Sequence, residues 1–170
     1  MSNNLASRRR ASAAVLPTLN ATAPARRLPA ICPRVALIAD LSAPYGPPLT
    51  SPDAVWTLLR EDAALWDRER FITLALDGQH RVLGIDEVSV ATLSQSLVHP
   101  REVFKALILA NAKAFIAAHN HPSGDSDPSP EDVAVTEMLR DAGKLLAIHL
   151  LDHVILGRET YYSFQASGRM

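Results

Sequence analysis

The chain has one cysteine, Cys32, in 170 residues, which excludes an intramolecular disulfide and leaves no set of thiolates for a structural zinc site. That count is compatible with a reducing, cytoplasmic setting. No apolar run approaches the roughly 18 uninterrupted residues of a membrane helix, so a soluble protein without a membrane partner is expected. No internal repeat is visible. Acids are missing from residues 1–39, which carry six arginines (8, 9, 10, 26, 27 and 34). The remainder holds eleven basic against eighteen acidic residues, so a near-neutral total of -1 hides a body of net -7. Such a body offers DNA no broad cationic face, and a DNA partner is left to local patches.

What is present suffices for one globular domain, with 48% of the residues hydrophobic. Residues 1–50, rich in Ala, Arg, Ser and Pro, read as a disordered tail and linker that closes on Ala43-Pro44-Tyr45-Gly46-Pro47-Pro48. Arg8-Arg9-Arg10 could touch nucleic acid or anionic lipid or open an export signal, but Pro17 cuts the following apolar segment short. A solvated tail is the favoured reading. From Ser51-Pro52-Asp53 a helix is predicted through about Asp67, with Val55, Leu58, Leu59, Ala63 and Trp66 on one face. Strands follow over 71–76 and 81–92, joined by Asp77-Gly78, a hairpin signal. Pro100 opens a helix to about Asn111. The strand Ala114-Phe115-Ile116-Ala117-Ala118 comes next, then a helix from Pro130 to Ala142 with Gly143 as its stop, and strand-like segments 146–156 and 161–164. Helices alternating with a sheet give an α/β class.

The most informative stretch is Ala117-Ala118-His119-Asn120-His121-Pro122-Ser123-Gly124, followed by Ser129 and Asp132. Residues i and i+2 of a strand point to one face, so His119 and His121 project side by side. The Gly-, Asp-, Ser- and Pro-rich loop after them lets the chain reverse and bring Asp132 back over the strand end. Two histidines and a carboxylate are one common protein set for a hydrolytic zinc, with a fourth position kept for water. Plainer readings stand beside this one. Ser129-Pro130-Glu131-Asp132 is by itself a good helix start, with Ser at the N-cap, Pro at N1 and acids in the first turn. A single buried histidine is more often a satisfied core residue than a ligand, but two at ligand spacing change those odds. His99, His149 and His153 read as a cleft-lining or pre-helix residue, a satisfied sheet residue and a core or supporting residue, respectively. The tripeptide His-Asn-His only spells the name of a nuclease motif whose residues are separated in sequence.

The spacing His119-x-His121, seven residues, Ser129, two residues, Asp132 resembles the JAMM (MPN+) metalloprotease signature. The words Val98-His99-Pro100-Arg101-Glu102-Val103, Ala118-His119-Asn120-His121-Pro122-Ser123-Gly124-Asp125, Pro128-Ser129 and Leu151-Asp152-His153-Val154-Ile155-Leu156-Gly157 resemble its RadC branch in content and order, over about residues 52–168. The resemblance implies a single JAB/MPN-type, cytidine-deaminase-like α/β domain over 51–170, a central mixed sheet flanked by helices. It implies that His119, His121 and Asp132 bind Zn²⁺. Ser129 would hydrogen-bond the catalytic water or help hold the oxyanion. An upstream glutamate would be the general base: Glu69 by position, before the first clear strand, with Glu87 as runner-up. Glu102 is a first-turn helix acid. RadC-type proteins commonly carry an N-terminal helix-hairpin-helix segment, and residues 1–50 show neither its helical period nor its Gly-containing hairpin. The expectation is a zinc metallopeptidase acting on a peptide or protein amide. Its rivals are a non-enzymatic accessory module of DNA repair or recombination and a metal-dependent nuclease.

Overall fold

Why the chain turns where it does is set by caps and by two apolar periods. The computed structural model describes residues 47–90 and 98–170; the basic tail with Arg8-Arg9-Arg10 and Cys32, and the end of the strand expected to reach 92, lie outside them. Along the described chain run α1 (Pro52–Ala63), β1 (Arg70–Leu76), β2 (Val82–Val90), α2 (Pro100–Leu109), β3 (Ala114–Asn120), α3 (Pro130–Leu146), β4 (His149–Leu156) and β5 (Tyr161–Ser163). Each helix opens on a proline preceded by a capping side chain, Ser51, His99 or Ser129, which supplies one acceptor to the unpaired N–H groups of the first turn. His99 is therefore a helix cap, its Nδ1 accepting from the Arg101 N–H at 3.1 Å.

The five strands form one mixed sheet in the order β2-β1-β3-β4-β5. β1 pairs antiparallel with β2 and β3, β3 pairs parallel with β4 through the α3 crossover, and β5 returns antiparallel. Alternation sorts the side chains. Ile72, Leu74 and Leu76 of β1 join Ile116 and Ala118 of β3 against Val55, Leu59 and Ala63 of α1. Phe71 and Ala75 join Phe115 and Ala117 against Val103, Phe104 and Leu107 of α2 and Leu139 of α3. The sheet is thus covered on both faces, which is why β3 reads as an unbroken apolar run and is buried throughout. No helix among the described residues is long and apolar enough to cross a membrane.

Several boundaries move from their expected places. α1 ends at Ala63, and Leu58 is 44% exposed instead of facing the core. α2 ends at Leu109, and β4 starts at His149, itself exposed. The β1–β2 hairpin exists but lacks a two-residue turn. Asp77 organises a longer loop, its carboxylate accepting from the N–H groups of Gln79 and Arg81 at 2.8 and 2.9 Å, while His80 takes the left-handed conformation. Gly143 does not stop α3, which continues to Leu146 and closes on Ala147 at φ 56°. Gly143 serves instead as a point of close approach, since a Cβ there would lie 2.5 Å from the Ile148 carbonyl oxygen. In thermal or denaturant unfolding, Gly143→Ala is expected to cost about 1–3 kcal/mol through overpacking. Ala147→Gly is expected to stabilise by up to about 1 kcal/mol by relieving a left-handed alanine.

Candidate metal centre

His119 is the penultimate residue of β3 and shares the face of Phe115 and Ala117. The His121 N–H bonds the Leu156 carbonyl at 3.1 Å, extending the pairing with β4 by one step and keeping the two rings side by side. Their centroids are 4.9 Å apart and their Nε2 atoms 3.0 Å apart. Asp132 arrives from the other direction as the third residue of α3. Its Oδ1 lies 3.1 Å from His119 Nε2 and its Oδ2 3.5 Å from His121 Nε2. One ligand-type atom from each of the three residues lies within 4.8 Å of the others, so the group could hold a metal ion. The His119 side chain is 1% exposed, against 19% for His121 and 14% for Asp132, so the group is reached from solvent on the His121 side.

The helix cap and the candidate ligand are the same carboxylate. Ser129 donates to Asp132 Oδ2 through its N–H at 2.8 Å and its hydroxyl at 2.7 Å, while its Oγ accepts the Asp132 N–H at 3.1 Å. This reciprocal capping box holds Oδ2 and leaves Oδ1 turned to His119. The two readings of Ser129-Pro130-Glu131-Asp132 therefore coexist, and the only Ser129 hydroxyl proton is engaged on Asp132.

The donor set suits a metal of the nitrogen- and oxygen-binding kind. His121 Nδ1 lies 2.9 Å from the Asp125 carbonyl oxygen, which can only accept, so the ring donates there and leaves Nε2 to the centre, as a lone pair for a metal or, with none bound, as the N–H that bonds Asp132. Burial resists ionisation of Asp132, but hydrogen bonds from His119, His121 and Ser129 outweigh it and hold the carboxyl far below the usual carboxylate range. The same contact acts on His121 from the other side, the Asp132 hydrogen bond raising its pKa against the effect of burial. Electron pairs and negative charge converge here, and a bound cation answers both.

The two glutamates sit differently. Glu87 lies on β2, where its carboxylate is held by Arg70 at 2.7 Å on the surface. Glu69 precedes β1 by one residue. Because Phe71 pairs with His119, the register places Glu69 opposite His121, and its charge contributes to raising that ring's pKa. Asn120, between the two histidines, brackets this position: its Oδ1 accepts the Arg70 N–H at 2.8 Å and its Nδ2 donates to the Arg68 carbonyl at 3.1 Å. Beside His121 opens a groove of about 340 Å³, lined by Trp66, Arg60 and Arg158 among others.

The roles of Asn120 and of Thr136, which contacts His153, escape a reading of the sequence alone. Thr136 follows Asp132 by four residues, the spacing that puts both on one helix face, and this was the one local signal. His153 reaches His119 only through the β3–β4 pairing, which no local pattern specifies.

A five-stranded mixed sheet with three helices, carrying two histidines and a carboxylate at a strand end and a helix start, is the architecture of a JAB-type domain. The sequence narrows the class: a profile of the RadC-like JAB domain matches residues 49–169, and the chain belongs to this family. A relative from Desulfitobacterium hafniense is 47% identical over 122 residues, which are 72% of this chain and 54% of the relative. One from Moorella thermoacetica is 49% identical over 117 residues, covering 69% and 51%. One from Methanosarcina mazei is 45% identical over 120 residues, covering 71% and 52%. All three bear the name UPF0758 protein, which states no activity, and the chain spans about half the length of the curated relatives it matches.

Proposed function

We propose that this chain is a zinc-dependent metallohydrolase that cleaves a peptide or isopeptide amide in a peptide or protein substrate. The reading is carried by the convergence of His119 Nε2, His121 Nε2 and the Asp132 carboxylate on one solvent-reachable point. Zinc bound there would supply a Lewis acid and lower the pKa of a water to about 7. Glu69 accepts the proton of the attacking water and returns it to the leaving amine. What supports Glu69 over Glu87 is its register opposite His121 and its electrostatic reach to that ring, whereas Glu87 is engaged by Arg70. Ser129 first orients Asp132. For its hydroxyl to stabilise an oxyanion, it must turn away from Oδ2. A cytoplasmic setting is compatible with the single cysteine.

The test is metal analysis of the purified protein joined to a peptide-library cleavage assay, with Asp132→Ala as control. About one zinc per chain is expected, with cleavage lost on chelation, restored by zinc and missing in the control. Undiminished cleavage by metal-free protein would contradict the reading. Zinc uptake without cleavage, together with a repair or recombination role that survives in Asp132→Ala cells, would favour the accessory module. DNA cleavage dependent on His119 would favour the nuclease.

A further inference from the structure

The second nitrogen of the His119 ring points into the core. Its Nδ1 lies 2.9 Å from His153 Nε2. The other nitrogen of that ring, His153 Nδ1, lies 2.6 Å from Thr136 Oγ1, and the Thr136 hydroxyl donates to the Asp132 carbonyl oxygen at 2.6 Å. All three side chains belong to residues that are 1% exposed or less.

The direction of every hydrogen bond in this chain follows from its last link. A hydroxyl has one proton and a carbonyl can only accept, so the Thr136 proton is committed to Asp132. Thr136 Oγ1 must then accept from His153 Nδ1–H. His153 is left with a lone pair on Nε2, into which His119 donates its Nδ1–H. His119 Nε2 is therefore the nitrogen left to face His121 and Asp132, holding a lone pair for a metal or, with none bound, the proton that bonds Asp132. Reversing the chain would press a hydroxyl lone pair against a carbonyl oxygen at 2.6 Å, two acceptors in contact.

We propose that His153 and Thr136 are positioning residues for the metal centre, a buried relay that fixes the tautomer and orientation of His119 and ties it to the backbone of Asp132. The inference rests on the zinc reading above. The relay starts at one candidate ligand and ends on the main chain of another, so it sets the strand end and the helix start relative to each other. Aromatic rings hold it in place: Phe164 stacks on His153 at 5.1 Å and 8°, and Phe71 stacks on His119 at 5.9 Å and 13°. Outer partners of this kind are typically worth 10–100-fold in metal affinity. The plain alternative is a satisfied core histidine beside a threonine that bonds back to its own helix.

Three variants separate the two. Thr136→Val keeps the shape and removes the hydroxyl, Thr136→Ser restores it, and His153→Phe removes both ring nitrogens. Zinc affinity is measured by competition with a chromogenic chelator, and the ring tautomers by nitrogen NMR on the metal-free wild type. Protons on Nδ1 of both His119 and His153 are expected. Zinc affinity should fall about 10–100-fold in Thr136→Val and at least as far in His153→Phe, and recover in Thr136→Ser. A proton on His153 Nε2 in place of Nδ1, or unchanged affinity in Thr136→Val, would overturn the relay. Should His153→Phe fail to fold, the Thr136 pair decides. If the wild type takes up no zinc, the zinc reading falls, while the tautomers still decide the relay.

Discussion

Alanine at His119 or at Asp132 should reduce the zinc content of the purified protein from about one ion per chain to background. Catalytic-type zinc sites are built from three protein ligands and a water, and either change leaves two protein ligands. The loss should exceed the 10–100-fold expected for a supporting residue. Each change also has a cost unrelated to metal. Removing the His119 ring strips buried His153 Nε2 of its partner, for about 1–3 kcal/mol. Removing the Asp132 carboxylate breaks the capping box of α3, for about 1 kcal/mol. Asp132→Asn is the sharper variant, because the amide oxygen can still accept from Ser129 while the charge is gone. Metal content should be read beside thermal unfolding of the metal-free proteins. A folded Asp132→Asn or His119→Ala protein that retained full zinc would remove the centre from consideration.

Glu69→Gln should leave zinc content unchanged and lower turnover on any peptide the wild type cleaves by about 10²–10⁴-fold, the usual contribution of a positioned general base. The amide keeps the size and loses the ability to take a proton. Glu87→Gln is the matched control. Its partner Arg70 and its own carboxylate are 33% and 46% exposed, and an ion pair of that kind contributes about 0–1 kcal/mol, so little change in stability or turnover is expected. Loss of turnover confined to Glu87→Gln would reverse the assignment. A drop in zinc content in Glu69→Gln would make Glu69 part of the metal group rather than a base.

The parts legible from sequence were those written in local chemistry. An apolar run ending in His-x-His gave a buried strand with two rings on one face, and Ser-Pro-Glu-Asp gave the helix start that carries Asp132. The same local rules misplaced the end of α3, because Gly143 is required by the approach of Ile148 and not by a left-handed backbone. They missed the Asp77 loop, where a carboxylate does the work expected of a glycine turn. Leu58 fitted the helical period yet is largely exposed, at the edge of the narrower face that Val55, Leu59 and Ala63 bury. The contacts of His153 and Asn120 are set by strand register, which is decided by the whole sheet.

The proposed function requires three side chains, two at the end of β3 and one at the start of α3, to gather around a zinc ion. Diffraction from zinc-loaded crystals at the zinc absorption edge tests it most directly. A single anomalous peak is expected, bonded to Nε2 of His119, Nε2 of His121 and a carboxylate oxygen of Asp132, with a water completing the set. A peak at other side chains, or none at these three in zinc-saturated protein, would contradict it.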